Sequence, residues 1–429
     1  MSLDVNISEP DEFNCIELHN CIETVAEINE IKDFTYHVDI LDGKGENYIA
    51  NVFRVSLKGS CSVIHKGSVK NISVIVKTLI NTTRQELFRE LHKREVNAYE
   101  HIIDKYNIIQ DNFKAEDRVV LPNCVFSSTS KNSEVIILED LLLSGFEIDT
   151  KLVKYEKLDY PQVKLIITEL AKFHALSFVF ERTDENFGNI RDLFRDLIFQ
   201  DNFLKHTKLR NYFQESFQMS VNLILDTEVR KQLEEVKGDL LDLLKMYTEP
   251  KKYNVFCHGD CWINNILFKN EGSKRELCFL DFQAMRYANP LTDILYFLYI
   301  CTDSEFRSEY FEELKISYYD TFSLFLKQFN VEANSVYPRE KFLEDVQEML
   351  PFGLLIALVE LRIVSITPES ERVLENHDFI PDTDQRIDVG PIIGEGNLLA
   401  FRVNDVVNES INNGVLQNLL SIVRAKLSF

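Results

Sequence analysis

The most constraining feature of the chain is "YNVFCHGDCWINNILF", residues 253–268, a polar block between two apolar runs. Each flank is typical of a buried β-strand, yet His258, Gly259, Asp260 and Asn265 lie between them. Burying a carboxylate or an amide is costly unless the group is paired or has a chemical role. The fold must therefore present this polar loop from a buried platform, and the loop is the first candidate for chemistry.

Charge and length exclude several classes of protein. The chain has 429 residues, enough for a large core, and a net charge of −22. Such acidity argues against nucleic acid and anionic membranes as partners. The eight cysteines are scattered and form no Cys-x-x-Cys pair, which is typical of reduced, buried thiols. With no signal peptide and no span-length apolar run, a cytoplasmic protein is expected. The sequence gives no indication of the oligomeric state.

The order of elements predicts an α+β protein. Residues 12–32 have the pattern of an amphipathic helix. Two strands, a long helix and two more strands follow, in the segments "NYIANVFRVSLKG", "KNISVIVKTLI", "RQELFRELHKREVNAYEHIIDKY", "RVVLPNCVFSS" and "SEVIILEDL". Beyond them the pattern is mostly helical, with a polar loop at 366–397. We therefore predict a bilobal fold, with a small β-rich N-lobe at 1–140 and a larger helical C-lobe at 141–429.

Three side chains in and after the polar block have the spacing of a phosphoryl-transfer site. Asn265 follows Asp260 by five residues, and Asp281 in "FLDFQ" follows Asp260 by twenty-one. Protein-kinase-like enzymes use this order. One carboxylate accepts the proton of the attacking hydroxyl, and oxygen ligands hold Mg²⁺ against the phosphates of ATP. Asp260 is the expected proton acceptor, and Asn265 and Asp281 are the expected metal ligands.

A site of this kind requires a lysine for the α- and β-phosphates and a glutamate to pair with that lysine. Lys77 is a charge within the β-branched run "SVIVKTLI", as such a lysine should be. Glu95 in the following helix is the expected partner, with Glu90 as the alternative.

Two further segments are candidates for the nucleotide. The turn in "DGKGENYIANVF" contains Gly43 and Gly45, and we expect Gly45 and Asn47 to contact the phosphates. The strand "VIILEDL" would link the lobes, with Glu139 and Leu141 offering backbone groups to adenine.

At this point the sequence resembles the insect ecdysteroid-kinase-like family, within the wider group of choline and aminoglycoside kinases. The resemblance is carried by "HGDCWINNILF", "FLDFQAMRYANPLTDILYFLY", "GENYIANVFRV" and "ILEDLLLSGF", and it also includes "LAKFHALS" and "FRVNDVVNESINNGVL". It implies an ATP-dependent kinase that phosphorylates a hydroxyl of a small lipophilic molecule such as an ecdysteroid or a xenobiotic.

The residues also favour a small acceptor over a protein. The motif reads His-Gly-Asp, so it lacks the arginine that would bind an activation-loop phosphate. Only eleven residues separate Asp281 from Asp293, too few for a peptide-binding segment. Asp293 is a buried acid expected to hold the loop through His258 or backbone amides, and His174 is expected to be a core histidine.

Two other functions stay open from the sequence. One is a choline- or aminoglycoside-type kinase that acts on a cationic acceptor, which the acidic surface would attract. The other is a pseudokinase that binds nucleotide and sequesters a ligand, although Lys77, Asp260, Asn265 and Asp281 are all present.

Overall fold

The computed structural model describes nine segments of the chain, which are residues 18–41, 50–61, 69–79, 85–114, 117–148, 158–207, 209–272, 274–365 and 398–426. The chain divides into two units, Met1–Ile148 with Leu267–Gln283, and Asp149–Ile266 with Ala284–Phe429. The α+β class predicted from the sequence is confirmed: the first unit carries an antiparallel sheet and the second is mainly helical.

A five-stranded antiparallel sheet organises the first unit, in the order β1-β2-β3-β5-β4. Its strands are β1 (Ile31–Ile40), β2 (Ala50–Cys61), β3 (Val69–Leu79), β4 (Cys124–Ser128) and β5 (Val135–Glu139). Helix α1 (Leu18–Ile28) packs on this sheet, and its Ile22 and Val25 share a buried cluster with Val55 and Val76. Alternating burial along the strands follows from the period of two in an extended chain.

The predicted helix at 12–32 is wrong at its C-terminal end, and one strand of the sheet was missed. The helix ends at Ile28, Glu30 has a left-handed φ of 59°, and β1 begins at Ile31. In β1, Tyr36 and Val38 are buried while their neighbours are exposed, so the strand shows the period of two that its sequence carries. Residues 12–17 and the predicted loop 366–397 lie outside the described residues.

The long helix predicted after β3 is present in three sections. These are α2 (Gln85–Ala98), a π-helical segment (Tyr99–Ile103) and α3 (Asp104–Ile109). Widened π turns are found most often near functional sites. This one directly follows the turn of α2 that carries Glu95.

His92 of α2 gives the first unit a pH dependence. Its Nε2–H donates to the Ser128 carbonyl at 2.9 Å, and burial lowers the pKa of the imidazole to about 4. Between pH 6.5 and 4 the unfolded chain binds a proton that the folded chain does not, so the unfolding free energy falls as the pH falls. We expect His92 to account for up to about 3 kcal/mol of that loss. Urea titrations of the native protein and of His92→Gln at pH 6.5 and pH 4 measure this loss of unfolding free energy. An equal loss in the two proteins would contradict the assignment to His92.

A small sheet of β6 (Glu147–Ile148), β8 (Ile266–Glu271) and β9 (Lys274–Phe279) ties a later stretch of chain to the first unit. Val120 also forms a parallel bridge with Cys278. Because of this pairing, the first unit takes in 141–148 and 267–283, which the predicted boundary at residue 140 assigned to the C-lobe. As a functional division, the two lobes stay a prediction.

Helices make up most of the second unit, together with the two-stranded ladder of β7 (Val255–Cys257) and β10 (Arg286–Ala288). Its helices are α4 (Tyr160–Thr183), α5 (Phe187–Leu193), α6 (Asp201–Thr207), α7 (Leu209–Leu223), α8 (Thr227–Glu234), α9 (Leu240–Thr248), α10 (Leu291–Cys301), α11 (Ser304–Gln328), α12 (Ala333–Val336), α13 (Arg339–Val364), α14 (Leu398–Asn412) and α15 (Val415–Lys426). Helix α10 is buried along nearly its whole length, so it anchors this core. Among the described residues, each helix falls short of the length or the apolar character needed to cross a membrane.

Candidate active site

Three of the predicted site residues meet within the first unit. The Lys77 Nζ lies 2.7 Å from Glu95 Oε2 and 2.7 Å from Asp281 Oδ1. The Glu95 side chain is 2% exposed, whereas Glu90 is exposed, so Glu95 is the partner of the lysine. A strand, a helix and the end of β9 thus bring together residues that are 204 positions apart in the chain.

The charges of this cluster do not balance. Burial opposes the charge on Lys77, but Asp281 and Glu95 outweigh it and raise the pKa of the ammonium well above its ordinary value. Burial, together with Asp281, raises the pKa of Glu95 even though Lys77 lowers it. Two carboxylates share one ammonium, which leaves an excess of negative charge. A hard divalent cation at Asp281 would neutralise that excess.

Asp281 is held in an uncommon backbone conformation. Its φ is +65°, in the left-handed region that L-residues rarely adopt, and strain of this kind concentrates at functional sites. Next to it, Phe282 packs edge-on against Tyr99 of the π-helical segment, with ring centroids 5.6 Å apart. The strained residue is therefore fixed from one side by a buried aromatic pair and from the other by Lys77.

The buried hydroxyl of Tyr99 is expected to lower the unfolding free energy of the protein. It is 1% exposed, and its hydroxyl has no hydrogen-bond partner among the described residues. An unpaired buried hydroxyl costs about 1–3 kcal/mol. We expect Tyr99→Phe to raise the unfolding free energy by about 1 kcal/mol, measured by urea denaturation. The matched control is Tyr337→Phe, whose hydroxyl donates to Asp345 at 2.7 Å and whose loss should destabilise the protein. A destabilised Tyr99→Phe would show that the hydroxyl is satisfied in solution.

The segment after β5 is fixed by Asp140. Its carboxylate accepts hydrogen bonds from Arg54, Ser73 and the Leu142 amide. The backbone of the two predicted adenine contacts is already partly engaged: the Glu139 N–H donates to Asn123, and the Leu141 carbonyl accepts from Phe146. Contact of Glu139 and Leu141 with adenine stays a prediction.

In the second unit, the polar loop is held by main-chain atoms. The Asp293 carboxylate, on α10, accepts from the backbone N–H of His258 at 2.6 Å and of Gly259 at 2.9 Å. This confirms the expectation that Asp293 holds the loop through backbone amides. The His258 ring takes a different role, since its Nδ1 accepts from the Asp260 N–H at 3.3 Å. His258 therefore shapes the loop.

Asp293 is itself held by a buried network. The His174 ring lies between the Tyr318 hydroxyl at 2.9 Å and the Asp293 carboxylate at 3.1 Å. Burial alone would raise the pKa of Asp293, but His174, with His258 and Arg286, lowers it below its ordinary value. Cys257 completes a buried set of possible metal donors with His174 and Asp293. Because these groups hydrogen-bond to one another and to the backbone, the set is better described as a structural network.

The Asp260 carboxylate is oriented by two donors. The Tyr296 hydroxyl donates to Oδ1 at 2.8 Å, and the Asn265 amide nitrogen lies 3.2 Å from Oδ2 and 2.9 Å from the Asp260 carbonyl. Asp260 is half-buried, while Tyr296 and Asn265 are each 9% exposed. The amide nitrogen of Asn265 donates these hydrogen bonds, and its amide oxygen carries the lone pairs that a hard cation could use.

Gly259 allows this loop to pack closely. Its φ is +88°, and a Cβ at this position would lie 2.0 Å from the Ala284 carbonyl oxygen. Arg286, which is 3% exposed, donates to the Gly259 carbonyl at 3.3 Å. Residue 259 therefore needs the small size of glycine, and both its N–H and its carbonyl are hydrogen-bonded.

The predicted site residues thus fall into two sets. Lys77, Glu95 and Asp281 lie together in the first unit, and Asp260 and Asn265 lie together in the second. Gly43, Gly45 and Asn47 lie outside the described residues. The roles of all these residues stay predictions.

Sequence reasoning missed Asp140 and Tyr296. Each is a polar residue within an apolar run, and this contrast is the only feature of the sequence that could have identified it.

A comparison with protein-family models matches residues 44–331 to one described as the ecdysteroid kinase-like family. A microcompartment-associated aminopropanol kinase is a structural neighbour at 11% identity and a TM-score of 0.42, covering 94% of this chain and 98% of that one. A glucosamine kinase follows at 12% identity and a TM-score of 0.31, covering 87% and 81%. No match was found among curated proteins. The structural similarities are too distant to indicate a substrate.

Proposed function

The chain belongs to the ecdysteroid kinase-like family, and from this premise we propose that it transfers the γ-phosphoryl group of ATP to a hydroxyl of a small lipophilic molecule. Family membership supports the broader statement, a small-molecule phosphotransferase that uses ATP and a divalent metal. The finer proposal specifies Mg²⁺ and an acceptor such as an ecdysteroid or a xenobiotic alcohol. A cytoplasmic location belongs to the same proposal.

The observation that carries the proposal is the pairing of Lys77 with both Glu95 and Asp281, at 2.7 Å each. In kinases a strand lysine is held by a helix glutamate so that its ammonium can bind the α- and β-phosphates, and the metal-binding aspartate lies beside it. A lysine that only prevented unwanted pairing at the edge of a sheet would be exposed to solvent and would not need two carboxylate partners. Lys77 contacts two carboxylates, and its side chain is only 15% exposed. β3 also lies inside its sheet, between β2 and β5.

Asp260 is the proposed proton acceptor. As the acceptor oxygen forms its bond to the γ-phosphorus, the bond from that phosphorus to the bridging oxygen of ADP breaks. The hydroxyl proton passes to Asp260, and the products are ADP, a phosphate ester and, after release from Asp260, a proton. Tyr296 and Asn265 fix the orientation of the carboxylate, so less orientational freedom is lost when the acceptor binds.

Asp281 and Asn265 are the residues that would hold the metal. The excess negative charge around Lys77 and the amide oxygen of Asn265 both suit a hard cation. A bound Mg²⁺ would neutralise charge on the β- and γ-phosphates. For the rest of the nucleotide we propose the Glu139 carbonyl and the Leu141 N–H at adenine, with Gly45 and Asn47 at the phosphates.

The test is ATP consumption with Mg²⁺ against a panel of acceptors, with Asp260→Asn as the blank. The panel contains an ecdysteroid, a plant steroid, a phenolic glycoside, choline, ethanolamine and an aminoglycoside. Turnover with a lipophilic alcohol that is lost in the variant and in excess EDTA is the expected result. Turnover with choline, ethanolamine or the aminoglycoside alone would replace the lipophilic acceptor by a cationic one. ATP binding without turnover of any acceptor would favour a sequestering pseudokinase.

A further inference from the structure

A second carboxylate, Glu360, lies near Asp260 in the second unit and has no part in the chemistry described so far. Glu360 is in α13, and the Tyr212 hydroxyl of α7 donates to its Oε2 at 3.5 Å. Asp260 is matched with a tyrosine in the same way, since Tyr296 donates to its Oδ1 at 2.8 Å. Three helices and the polar loop thus supply two carboxylate–tyrosine pairs.

The two pairs are close enough to affect one another. The charges of Asp260 and Glu360 both act on the Tyr296 hydroxyl, and so does Tyr212. Both tyrosines are buried, at 7% exposure for Tyr212 and 9% for Tyr296, whereas both carboxylates are half-buried. Of the four side chains, the two carboxylates are therefore the more accessible to solvent or a ligand.

Glu360 is suited to a neutral partner. Burial, together with the negative charge of Asp260, raises the pKa of Glu360 to about 8, against the hydrogen bond from Tyr212. At neutral pH the group therefore carries a proton and can both donate and accept a hydrogen bond. The tyrosine hydroxyls are neutral as well, because burial raises their pKa values further.

We propose that Glu360, supported by Tyr212, binds a second hydroxyl of the acceptor while the first hydroxyl is at Asp260. The preferred acceptor is then a lipophilic diol or polyol, and Glu360 determines this specificity. The inference rests on the proposed kinase function, because it takes Asp260 as the point where the reacting hydroxyl lies.

The two hydroxyls of such an acceptor would need two separate binding groups. Asp260 already accepts from Tyr296 and Asn265, and it is the proposed partner of the reacting hydroxyl. A separate group is required for any second polar substituent that is removed from water, since an unpaired hydroxyl would weaken binding.

The experiment compares alcohols that differ by one hydroxyl. The probes are linear alkane diols with two to six carbons between the hydroxyls, each with the mono-alcohol and the ω-amino alcohol of equal chain length, assayed with ATP and Mg²⁺. For the native protein we expect kcat/KM to be about tenfold higher for the best diol than for its mono-alcohol. Glu360→Leu should abolish this preference and retain turnover of the mono-alcohol, and Tyr212→Phe should reduce it. Glu340→Gln, an exposed position in the first turn of the same helix, is the matched control.

Three kinetic results would overturn the inference. One is an equal loss for diol and mono-alcohol in Glu360→Leu, and another is a preference that survives the substitution. The third is a preference for an ω-amino alcohol over the diol that Glu360→Gln removes, which would make Glu360 a cation-binding group. If no probe is turned over, the proposed function fails for these acceptors. The inference is then decided by calorimetric binding of the same pairs to the native protein and to Glu360→Leu. Tighter binding of the diol that is lost in the variant supports the inference, and equal binding of diol and mono-alcohol to the native protein overturns it.

Discussion

Asp260→Asn is expected to lower turnover by about 10²–10⁴-fold, the usual contribution of a positioned proton acceptor. The amide keeps the size of the side chain and can still accept from Tyr296, so the loop should retain its shape. What it loses is the basic oxygen proposed to take the proton from the attacking hydroxyl. The substitution therefore separates the chemistry from the architecture that supports it.

The measurement is kcat with the best acceptor of the panel, alongside the dissociation constant for ATP and the thermal midpoint. We expect ATP binding and the midpoint to change little. Asp242→Asn, at an exposed position of α9, is the matched control and should retain full turnover. An Asp260→Asn protein that turns over at the native rate would remove Asp260 from the mechanism.

Gly259→Ala is expected to have the largest effect on stability, about 3 kcal/mol or more. An added Cβ would lie 2.0 Å from the Ala284 carbonyl oxygen and 2.6 Å from its carbon, and backbone atoms cannot move aside as the end of a flexible side chain can. The left-handed backbone adds a further cost of about 1–2 kcal/mol for any residue with a Cβ. Relief would require the loop to leave Asp293, so turnover should fall with stability.

Substitutions at two other glycines separate the cost of the left-handed backbone from the cost of the clash with Ala284. Gly414 has φ +77° with no atom within 4 Å of its Cβ position, so Gly414→Ala should show the backbone cost alone. Gly188 in α5 also has open space at that position, and Gly188→Ala should stabilise the helix by about 0.5–1 kcal/mol. Urea denaturation of the three variants gives the comparison. If Gly259→Ala were no worse than Gly414→Ala, the close approach to Ala284 would not exist in solution.

The site residues that the sequence singles out are those with a local signal. Lys77 is a charge within a β-branched run, and Asp260, Asn265 and Asp281 have a fixed spacing around two apolar strands. Such patterns constrain the chain over a few residues, so no knowledge of the tertiary fold is needed to find them. The pairing of Lys77 with Glu95, where Glu90 was the alternative, followed once the helix placed only one of them against the sheet.

The residues that the sequence did not predict depend on packing between distant elements. Tyr296 is 36 positions after Asp260, and which face of the buried α10 points to the loop is decided by the contacts of the whole second unit. Glu360 and Tyr212 are 148 positions apart and meet only because α7 and α13 pack together. The predicted helix runs two residues into β1, because Ile31 and Lys32 continue the apolar–polar pattern of α1. The break between helix and strand is the left-handed backbone at Glu30, for which its side chain gives no sequence signal.

The hold of Asp293 on the polar loop has a consequence for substitutions within the loop. Asp293 binds two main-chain N–H groups, which every amino acid except proline provides. This anchor therefore does not depend on the side chains of the loop, except that position 259 must stay glycine. A variant of another loop side chain can thus be assayed for activity with the main-chain anchor retained.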